Sequence, residues 1–177
     1  MLFDVKLVQV WSNDQKSDER FLKEYRNTSF VVRRAGTLEE CVRESDVIAT
    51  TTPSRKPIVK SNWVMPGTHI NAIGADAKGK EELEPAILKK STLVIDDWAQ
   101  ASHSGEINVP VSKGLISRRD IDAELGEIVL GKKSGRKNNS EITVFDSTGL
   151  AVHDIACAHS IYEKAIKKRV GEFKRFF

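Results

Sequence analysis

Cysteine pairs and long apolar runs are what this sequence has least of. Only Cys41 and Cys157 are cysteines among 177 residues, and neither belongs to a CxxC pair. Two isolated thiols are typical of a reducing compartment and not of a disulfide framework. No apolar run reaches the roughly 20 residues that a transmembrane helix needs. We therefore expect a chain without disulfides or membrane contact, located in the cytoplasm.

A large excess of one charge is also missing. The 28 Lys and Arg residues nearly balance 25 Asp and Glu residues, which leaves a formal net charge of +3. This excess is too small to indicate a nucleic-acid partner. Its densest run, at 167–169, falls at the end of a predicted helix, where cations suit the negative end of the helix dipole.

The GxGxxG motif of dinucleotide-binding domains is absent as well. The apolar run 5–11 predicts a strand at the beginning of the chain, but Ser12, Asn13 and Asp14 follow it. In dinucleotide-binding domains, glycines at this point let the backbone approach the pyrophosphate at a helix N-terminus. Taken alone, the residues therefore give little support to a dinucleotide cofactor.

Strand and helix patterns alternate along the rest of the sequence. Strands are predicted at 5–11, 30–33, 46–52, 69–74, 92–97 and 142–146, and helices at 14–26, after Thr37, at 82–89 and at 154–170. Several of the strands are almost continuously apolar, which is typical of a parallel sheet that helices cover on both faces. The alternation with short links predicts a doubly wound α/β sheet. The polar stretch 131–141 is predicted to be a solvated loop.

Polar residues stand at the ends of three predicted strands, and ligands of doubly wound sheets bind outside the carboxyl ends of the strands. The first group, Thr50, Thr51 and Thr52, precedes Pro53 and could present hydroxyl groups to a ligand. Threonine is also common inside strands, so by itself this group favours a structural role.

The second group is Gly74, Ala75 and Asp76, in which a carboxylate follows two small residues. Such an acid can act as a general base or hold an ammonium group. It can equally cap the helix that is predicted to begin near Glu82. The residues alone do not separate these two roles.

The third group is the run 145–150, which contains Asp146, Ser147, Thr148 and Gly149. Small hydroxyl residues and a glycine leave room for a ring and supply hydrogen bonds. The alternative is that one of the three polar side chains caps the long helix that follows.

The sequence does not indicate a catalytic histidine or a metal site. His69 lies within a predicted strand and is expected to be a packed, hydrogen-bonded residue. His103 is assigned no role. No cluster of residues has the spacing of metal ligands, so no metal site is expected.

Four segments in a fixed order carry a family resemblance. They are DVIATTTPSRKPIV, GTHINAIGADAKGKEEL, the pair Asp96-Asp97 with Gly105-Glu106-Ile107, and ITVFDSTGLAVHDIA. Together they resemble the ornithine cyclodeaminase and mu-crystallin family, above all its archaeal alanine dehydrogenases. The resemblance implies an incomplete Rossmann-like doubly wound parallel sheet at 1–149, which lacks its first strand and glycine loop. The segment 150–177 would be a long C-terminal helix that returns to a separate substrate and dimerisation domain.

The resemblance also implies a chemistry and a set of site residues. Family members transfer a hydride between the α-carbon of an amino acid and a nicotinamide, and the imine then yields a 2-oxo acid and ammonia or is captured internally. Asp76 would be the catalytic acid, and Thr148 would touch the substrate. The cofactor contacts would be Ser12, Asn13, Thr52, Ile73, Gly74, Ala75, Lys80 and Ser147. Because Ser12 stands where NAD-using members commonly have an acid, both NAD and NADP remain open.

Part of the family's machinery has no match in this sequence. By resemblance, an N-terminal region supplies basic residues that clamp the substrate carboxylate, much of the dimer interface, and the strand with its glycine loop. The expected function is therefore that of an NAD(P)-binding portion of an amino acid oxidoreductase or deaminase. This portion is expected to be inactive alone, because the basic residues that clamp the substrate are missing. The alternative is an inactive remnant or a mu-crystallin-like binding protein. The substrate would be a small amino acid or 2-oxo acid.

The predicted C-terminal helix has an apolar face that needs a partner. We expect self-association, most simply as a dimer, because an exposed apolar patch of this size is unfavourable in water. The residues that would form the contact are Ile155, Ile161, Tyr162 and Ile166.

Overall fold

The structure, a computed structural model, describes residues 4–174. The predicted segments 1–149 and 150–177 extend past this range, and residues 1–3 and 175–177 lie outside the described residues. The strands are β1 (Leu7–Val10), β2 (Val31–Arg34), β3 (Val47–Thr50), β4 (Arg55–Val59), β5 (His69–Ala72), β6 (Glu81–Leu83), β7 (Thr92–Ile95), β8 (Ala123–Glu124) and β9 (Thr143–Asp146). The α-helices are α1 (Gln15–Glu24), α2 (Leu38–Arg43), α3 (Pro85–Lys90), α4 (Trp98–Ser104), α5 (Asn108–Ser112), α6 (Leu125–Val129) and α7 (Ala151–Lys168).

The strands form parallel sheets. The largest has five strands in the order β3-β5-β9-β7-β8, and β1 with β2 and β4 with β6 form two further pairs. Every strand pair is parallel. In the middle of the large sheet, Asn71 of β5 lies opposite Ala49 of β3 on one side and Phe145 of β9 on the other. The predicted α/β fold with a parallel sheet and a long C-terminal helix is confirmed.

The six predicted strands are all present, because their β-branched runs are strong local signals. The sequence prediction missed the short strands β4, β6 and β8 and the helices α4, α5 and α6. The helix predicted at 82–89 was wrong in its first half. Glu81–Leu83 form β6, paired with β4, and α3 begins only at Pro85. Proline suits the first position of a helix, where its missing N–H has no intrahelical partner.

Two predicted helix starts have caps. The carboxylate of Asp14 accepts a hydrogen bond from Lys16 N at 3.2 Å and caps α1. At α2 the Thr37 hydroxyl accepts one from Glu40 N at 3.0 Å. The Glu40 carboxylate reaches back to the N–H of Gly36, at 2.9 Å, one residue before the cap. The N-termini of α1 and α2 are therefore capped by the side chains that the sequence pattern indicates.

The core lies between the large sheet and the helices around it. Its largest fully buried apolar side chains are Ile70, Leu83, Ile87, Leu88, Leu93, Ile95, Ile107, Val42, Val59 and Val144. In contrast, α7 buries none of its residues. It begins after Leu150 without a side-chain cap, so the alternative in which Asp146, Ser147 or Thr148 caps it is wrong. Across residues 4–174, none of the helices has both the length and the apolar character that crossing a bilayer requires.

Candidate functional site

A cleft lies at the carboxyl ends of β3 and β5. Its volume is about 250 Å³, and its lining residues are Thr51, Thr52, Pro53, Ile73, Gly74, Asp76 and Lys80. The cleft exists because β3 and β5 are adjacent parallel strands, so the segments that follow them meet at the same edge of the sheet. Five of the residues predicted to form the site, Thr52, Ile73, Gly74, Asp76 and Lys80, are brought together here.

Gly74 brings the two walls of the cleft close to each other. Its N–H donates to Thr50 O and to Glu82 Oε2, at 3.0 Å in each case. A Cβ atom at this position would lie 2.5 Å from Glu82 Oε2 and 2.6 Å from Thr52 N. No side chain fits in that space without moving the end of β3, so glycine is needed for close approach.

Glu82 ties together the two segments that form the walls of the cleft. It is completely buried, at 0% exposure. Its Oε1 atom accepts a hydrogen bond from Thr52 N at 2.6 Å, while Oε2 accepts the one from Gly74 N. One carboxylate thus satisfies a backbone donor on each wall, and both of its oxygens are in use.

Glu106 supports the segment that contains Glu82. Its Oε1 atom accepts hydrogen bonds from Glu82 N at 2.8 Å and Leu83 N at 2.6 Å. Burial raises the pKa of Glu106 well above its ordinary value, although the two N–H donors oppose the shift. Within the described residues, Glu106 Oε2 is buried without a hydrogen-bond partner.

Asp146, at the end of β9, supports Glu106 in turn. Its carboxylate accepts hydrogen bonds from Glu106 N at 2.9 Å and Ile107 N at 3.1 Å. Burial raises the pKa of Asp146 to about 7; the two N–H donors oppose this shift and the nearby charge of Asp96 adds to it. A Cβ atom on Gly105 would lie 2.6 Å from Asp146 Oδ2, so glycine is needed for this approach too.

The segment after β9 is held by a fourth buried acid, Asp96. Its Oδ2 atom accepts a hydrogen bond from Thr148 N at 2.6 Å, and the Thr148 hydroxyl donates to the same carboxylate at 2.8 Å. Thr148 is 8% exposed. The neighbouring Ser147 donates its N–H to Ala72 O at 2.9 Å. The predicted substrate residue Thr148 is therefore engaged with Asp96 and does not line the cleft.

Asp76 and Lys80 form an ion pair at the mouth of the cleft. The hydrogen bond from Lys80, followed by its charge, lowers the pKa of Asp76 below its ordinary value. The Asp76 side chain is 68% exposed, whereas that of Lys80 is 18% exposed. The alternative in which Asp76 caps a helix near Glu82 is wrong, because β6 occupies that place and Glu84 precedes α3.

The remaining predicted cofactor residues lie away from the cleft lining. Ser12 and Asn13 follow β1, where the Ser12 hydroxyl donates to Asp14 O at 2.7 Å. Ala75 is buried, at 2% exposure. Ser147 follows β9, and none of these four residues lines the cleft.

His69 has the packed, hydrogen-bonded role that was predicted for it. Its Nδ1 atom is 2.7 Å from Thr143 Oγ1 and its Nε2 atom is 3.2 Å from Asn71 Oδ1. Burial lowers the pKa of this half-buried ring, which keeps the imidazole neutral.

Sequence reasoning missed the roles of Glu82, Glu106 and Asp96. A signal existed only for Asp96, which directly follows the apolar run 93–95, whereas Glu82 stands in the charged stretch KEELE and Glu106 follows Ser104 and Gly105. An acid inside an apolar stretch is unusual unless hydrogen bonds satisfy it. All three lie within the segments that carried the family resemblance, which assigned them no role.

Known proteins share this fold and sequence over nearly the whole chain. The alanine dehydrogenase of Archaeoglobus fulgidus is 49% identical, over 99% of this chain and 54% of its own length. A solved archaeal alanine dehydrogenase dimer with bound NAD superimposes with a TM-score of 0.89, at 48% identity over 99% of this chain and 54% of that one. The Δ1-pyrroline-2-carboxylate reductase of Thermococcus litoralis, solved with NADH and L-proline, has a TM-score of 0.88, at 35% identity over 97% of this chain and 54% of that one.

These matches cover the chain but only part of the relatives. The chain spans about half the length of the curated relatives it matches. The model of the ornithine cyclodeaminase/mu-crystallin family matches residues 1–169. Since this range takes in nearly every residue of the sequence, the chain belongs to the ornithine cyclodeaminase/mu-crystallin family.

Proposed function

We propose that this chain is the NAD(P)-binding portion of an amino acid oxidoreductase or deaminase. The observation that carries the proposal is the cleft at the ends of β3 and β5, with the Asp76–Lys80 pair at its mouth. Ligands of doubly wound sheets bind at this edge. The relatives solved with NAD or NADH share the fold of this chain over nearly its whole length.

The cleft fits one end of such a cofactor. Ile73 is 45% exposed, so it offers an apolar surface against which a ring can pack, and Gly74 beside it has no side chain to obstruct the ring. Lys80 supplies a cation, and Thr52 is at the opposite wall. By the family resemblance, Ala75 and Ser147 would lie near the same ring, although neither lines the cleft, and Ser12 and Asn13 would meet the ribose at the end of β1. The cofactor, when bound, accepts or donates the hydride.

Asp76 would hold the amino group of the substrate. Because Lys80 lowers the pKa of Asp76, the carboxylate is ionised at neutral pH. An acid with a low pKa is a weak general base, so binding an ammonium group or orienting a water molecule suits it better than abstracting a proton. Thr148 would reach the substrate, a small amino acid or 2-oxo acid, only if it left Asp96.

The rest of the activity would depend on residues in the part of the longer relatives that has no counterpart in this chain. The segment 1–149 would be the nucleotide-binding domain, and α7 within 150–177 would contact a separate substrate and dimerisation part. Orientation of the substrate is a large part of such catalysis. Asp76 without a partner for the substrate carboxylate would therefore give little turnover.

The proposal can be tested with a fusion protein, in which this chain is joined to the part of the Archaeoglobus fulgidus alanine dehydrogenase that lies outside the matched region. We expect NADH to bind and alanine to be oxidised with NAD. Asp76→Asn should reduce kcat at least about a hundredfold, with cofactor binding nearly unchanged. The matched control is Asp120→Asn, because Asp120 is also an exposed aspartate but does not line the cleft. This substitution should leave kcat and cofactor binding unchanged. A joined protein that binds NADH without turnover would favour the alternative, an inactive remnant or binding protein.

A further inference from the structure

Three buried acids connect the strand ends that surround the proposed site. Glu82, Glu106 and Asp146 are each 0% exposed. Within residues 4–174, none of the three forms an ion pair with a lysine, arginine or histidine. Their hydrogen-bond donors are backbone N–H groups, which is how a buried carboxylate is satisfied without a cation.

The hydrogen bonds run in one direction through the fold. Asp146 at the end of β9 binds the N–H groups of residues 106 and 107, and Glu106 binds those of residues 82 and 83. Glu82 then binds the N–H groups of Thr52 and Gly74. Each acid thus holds the backbone of the segment that carries the next acid. The series ends at the two walls of the cleft.

The three acids connect segments that are far apart in the sequence. The contacts join residues that are 40, 24 and 30 positions apart. Ser147 and Thr148, which follow Asp146 directly, also belong to the proposed site. The series therefore links the segment after β9 to the segments after β3 and β5, which are the three that the proposed function uses.

We propose that Glu82, Glu106 and Asp146 are positioning residues, which set the spacing of the three strand-end segments around the nicotinamide site. Glu82 acts directly on the walls, and Glu106 and Asp146 act through the backbone of the next segment. The inference rests on the proposed function for its link to cofactor binding. The positioning itself can be measured in the chain without any cofactor.

The three acids differ in how many acceptor atoms they use. Glu82 uses both oxygens, each for a different wall, so Glu82→Gln leaves either Thr52 N or Gly74 N facing an amide NH₂ group. Glu106 uses only Oε1, and its Oε2 is unpartnered. Glu106→Gln can therefore keep both of its hydrogen bonds and should preserve the spacing, whereas Glu106→Leu should not.

The first experiment measures amide signals by NMR in the full chain. We expect Glu82→Gln to shift the amide signals of Thr52 and Gly74. Asp146→Asn should shift the same two signals although Asp146 touches neither residue. Glu81→Gln is the matched control, because Glu81 is also buried on β6 but binds neither wall of the cleft. Unchanged Thr52 and Gly74 signals in a folded Asp146→Asn chain would overturn the linkage.

The second experiment uses the protein joined to the unmatched part of the Archaeoglobus fulgidus enzyme. Glu82→Gln should weaken NADH binding at least about tenfold and raise the KM for the cofactor more than it lowers kcat. Glu106→Gln should restore most of the binding that Glu106→Leu loses. Equal loss in both Glu106 variants would overturn the proposed role of Oε1. If NADH does not bind even without a substitution, the proposed function fails, while the amide shifts still decide the positioning.

Discussion

β3 and β5 are neighbours in one sheet, but their surroundings differ. β5 has a partner on each side, and its inward residues Ile70 and Ala72 are 0% and 1% exposed. β3 pairs only with β5, and Val47 is 55% exposed. β5 is therefore held by hydrogen-bond ladders on both sides, whereas β3 has one ladder and Glu82 binds the backbone of Thr52 just beyond its end.

β1 has a free edge as well. It pairs with β2 alone, and Leu7 is 40% exposed. The backbones of Leu7 and Gln9 face away from β2, because the ladder uses alternate residues and runs through Lys6 and Val10. The two free edges, on β1 and β3, belong to the part of the fold where the resemblance implies a missing strand and glycine loop. By contrast, β9 lies between β5 and β7 in the five-stranded sheet and ends at the buried Asp146.

The largest expected effect comes from comparing the same substitution on the central strand β9 and on the edge strand β3. Val144 on β9 is 1% exposed, and Val47 on β3 is 55% exposed. We expect Val144→Ala to lower the free energy of unfolding by about 2–3 kcal/mol, because it removes buried methyl groups and leaves a cavity. Val47→Ala should change it by less than about 0.5 kcal/mol. Urea denaturation measures both, and equal losses would mean that β3 is covered in solution.

Amide exchange sharpens the comparison at the level of the backbone. The N–H groups of Val47 and Ala49 face away from β5, since the β3–β5 ladder runs through Asp46 and Thr50. We expect these two amides to exchange with deuterium at least about tenfold faster than the amide of Asn71 on β5. NMR-detected hydrogen exchange provides the measurement. Strong protection at Val47 and Ala49 would instead indicate that another strand pairs with this edge.

The pH dependence of stability tests the buried carboxyl of Asp146 at the end of β9. Because the pKa of Asp146 is raised to about 7, the native carboxyl keeps its proton where the unfolded chain has already released it. This group therefore makes stability fall as the pH rises from the ordinary aspartate pKa toward 7, by at most about 1.4 kcal/mol per pH unit. Asp146→Asn removes this titrating carboxyl, so the stability lost in the variant should be greatest at or below about pH 4 and smallest above about pH 7.

An exposed aspartate is the matched control for the pH experiment. Hydrogen bonds from Ser117 lower the pKa of Asp120, so its contribution is present above the ordinary aspartate pKa and is lost as the pH falls. The difference between the wild-type chain and Asp120→Asn should therefore shrink at low pH, opposite to that of Asp146→Asn. Chemical denaturation at several pH values measures both. A difference that does not change with pH for Asp146→Asn would contradict the raised pKa.

The smallest expected effect concerns α7. Its predicted contact residues Ile155, Ile161, Tyr162 and Ile166 are 68%, 66%, 56% and 56% exposed. We expect the chain to associate through this face and Ile161→Glu to shift the equilibrium toward monomer, with little change in folding because the helix is exposed. Val129→Glu, at a residue that is 77% exposed on α6, is the control. Light scattering that finds a stable monomer of the unsubstituted chain would contradict the self-association.

Local patterns in the sequence predicted the strands and the caps of α1 and α2, because β-branched runs and capping side chains act over a few residues. They failed at β6, where the pattern at 82–89 resembled a helix. There, Glu82 and Leu83 donate their N–H groups to Glu106, more than twenty residues away, so a distant carboxylate decided the local conformation. Such a contact leaves no periodic signal in the sequence.

The sequence by itself determined the α/β class, the family, and the presence of Thr52, Ile73, Gly74, Asp76 and Lys80 at strand ends. Only the tertiary structure decided that these five line one cleft while Thr148 is bound by Asp96. It also decided that Glu82, Glu106 and Asp146 are buried together, with the pKa values of Glu106 and Asp146 raised. The physical reason is that strand formation depends on neighbouring residues, whereas burial and the donors that satisfy a buried carboxylate come from distant segments.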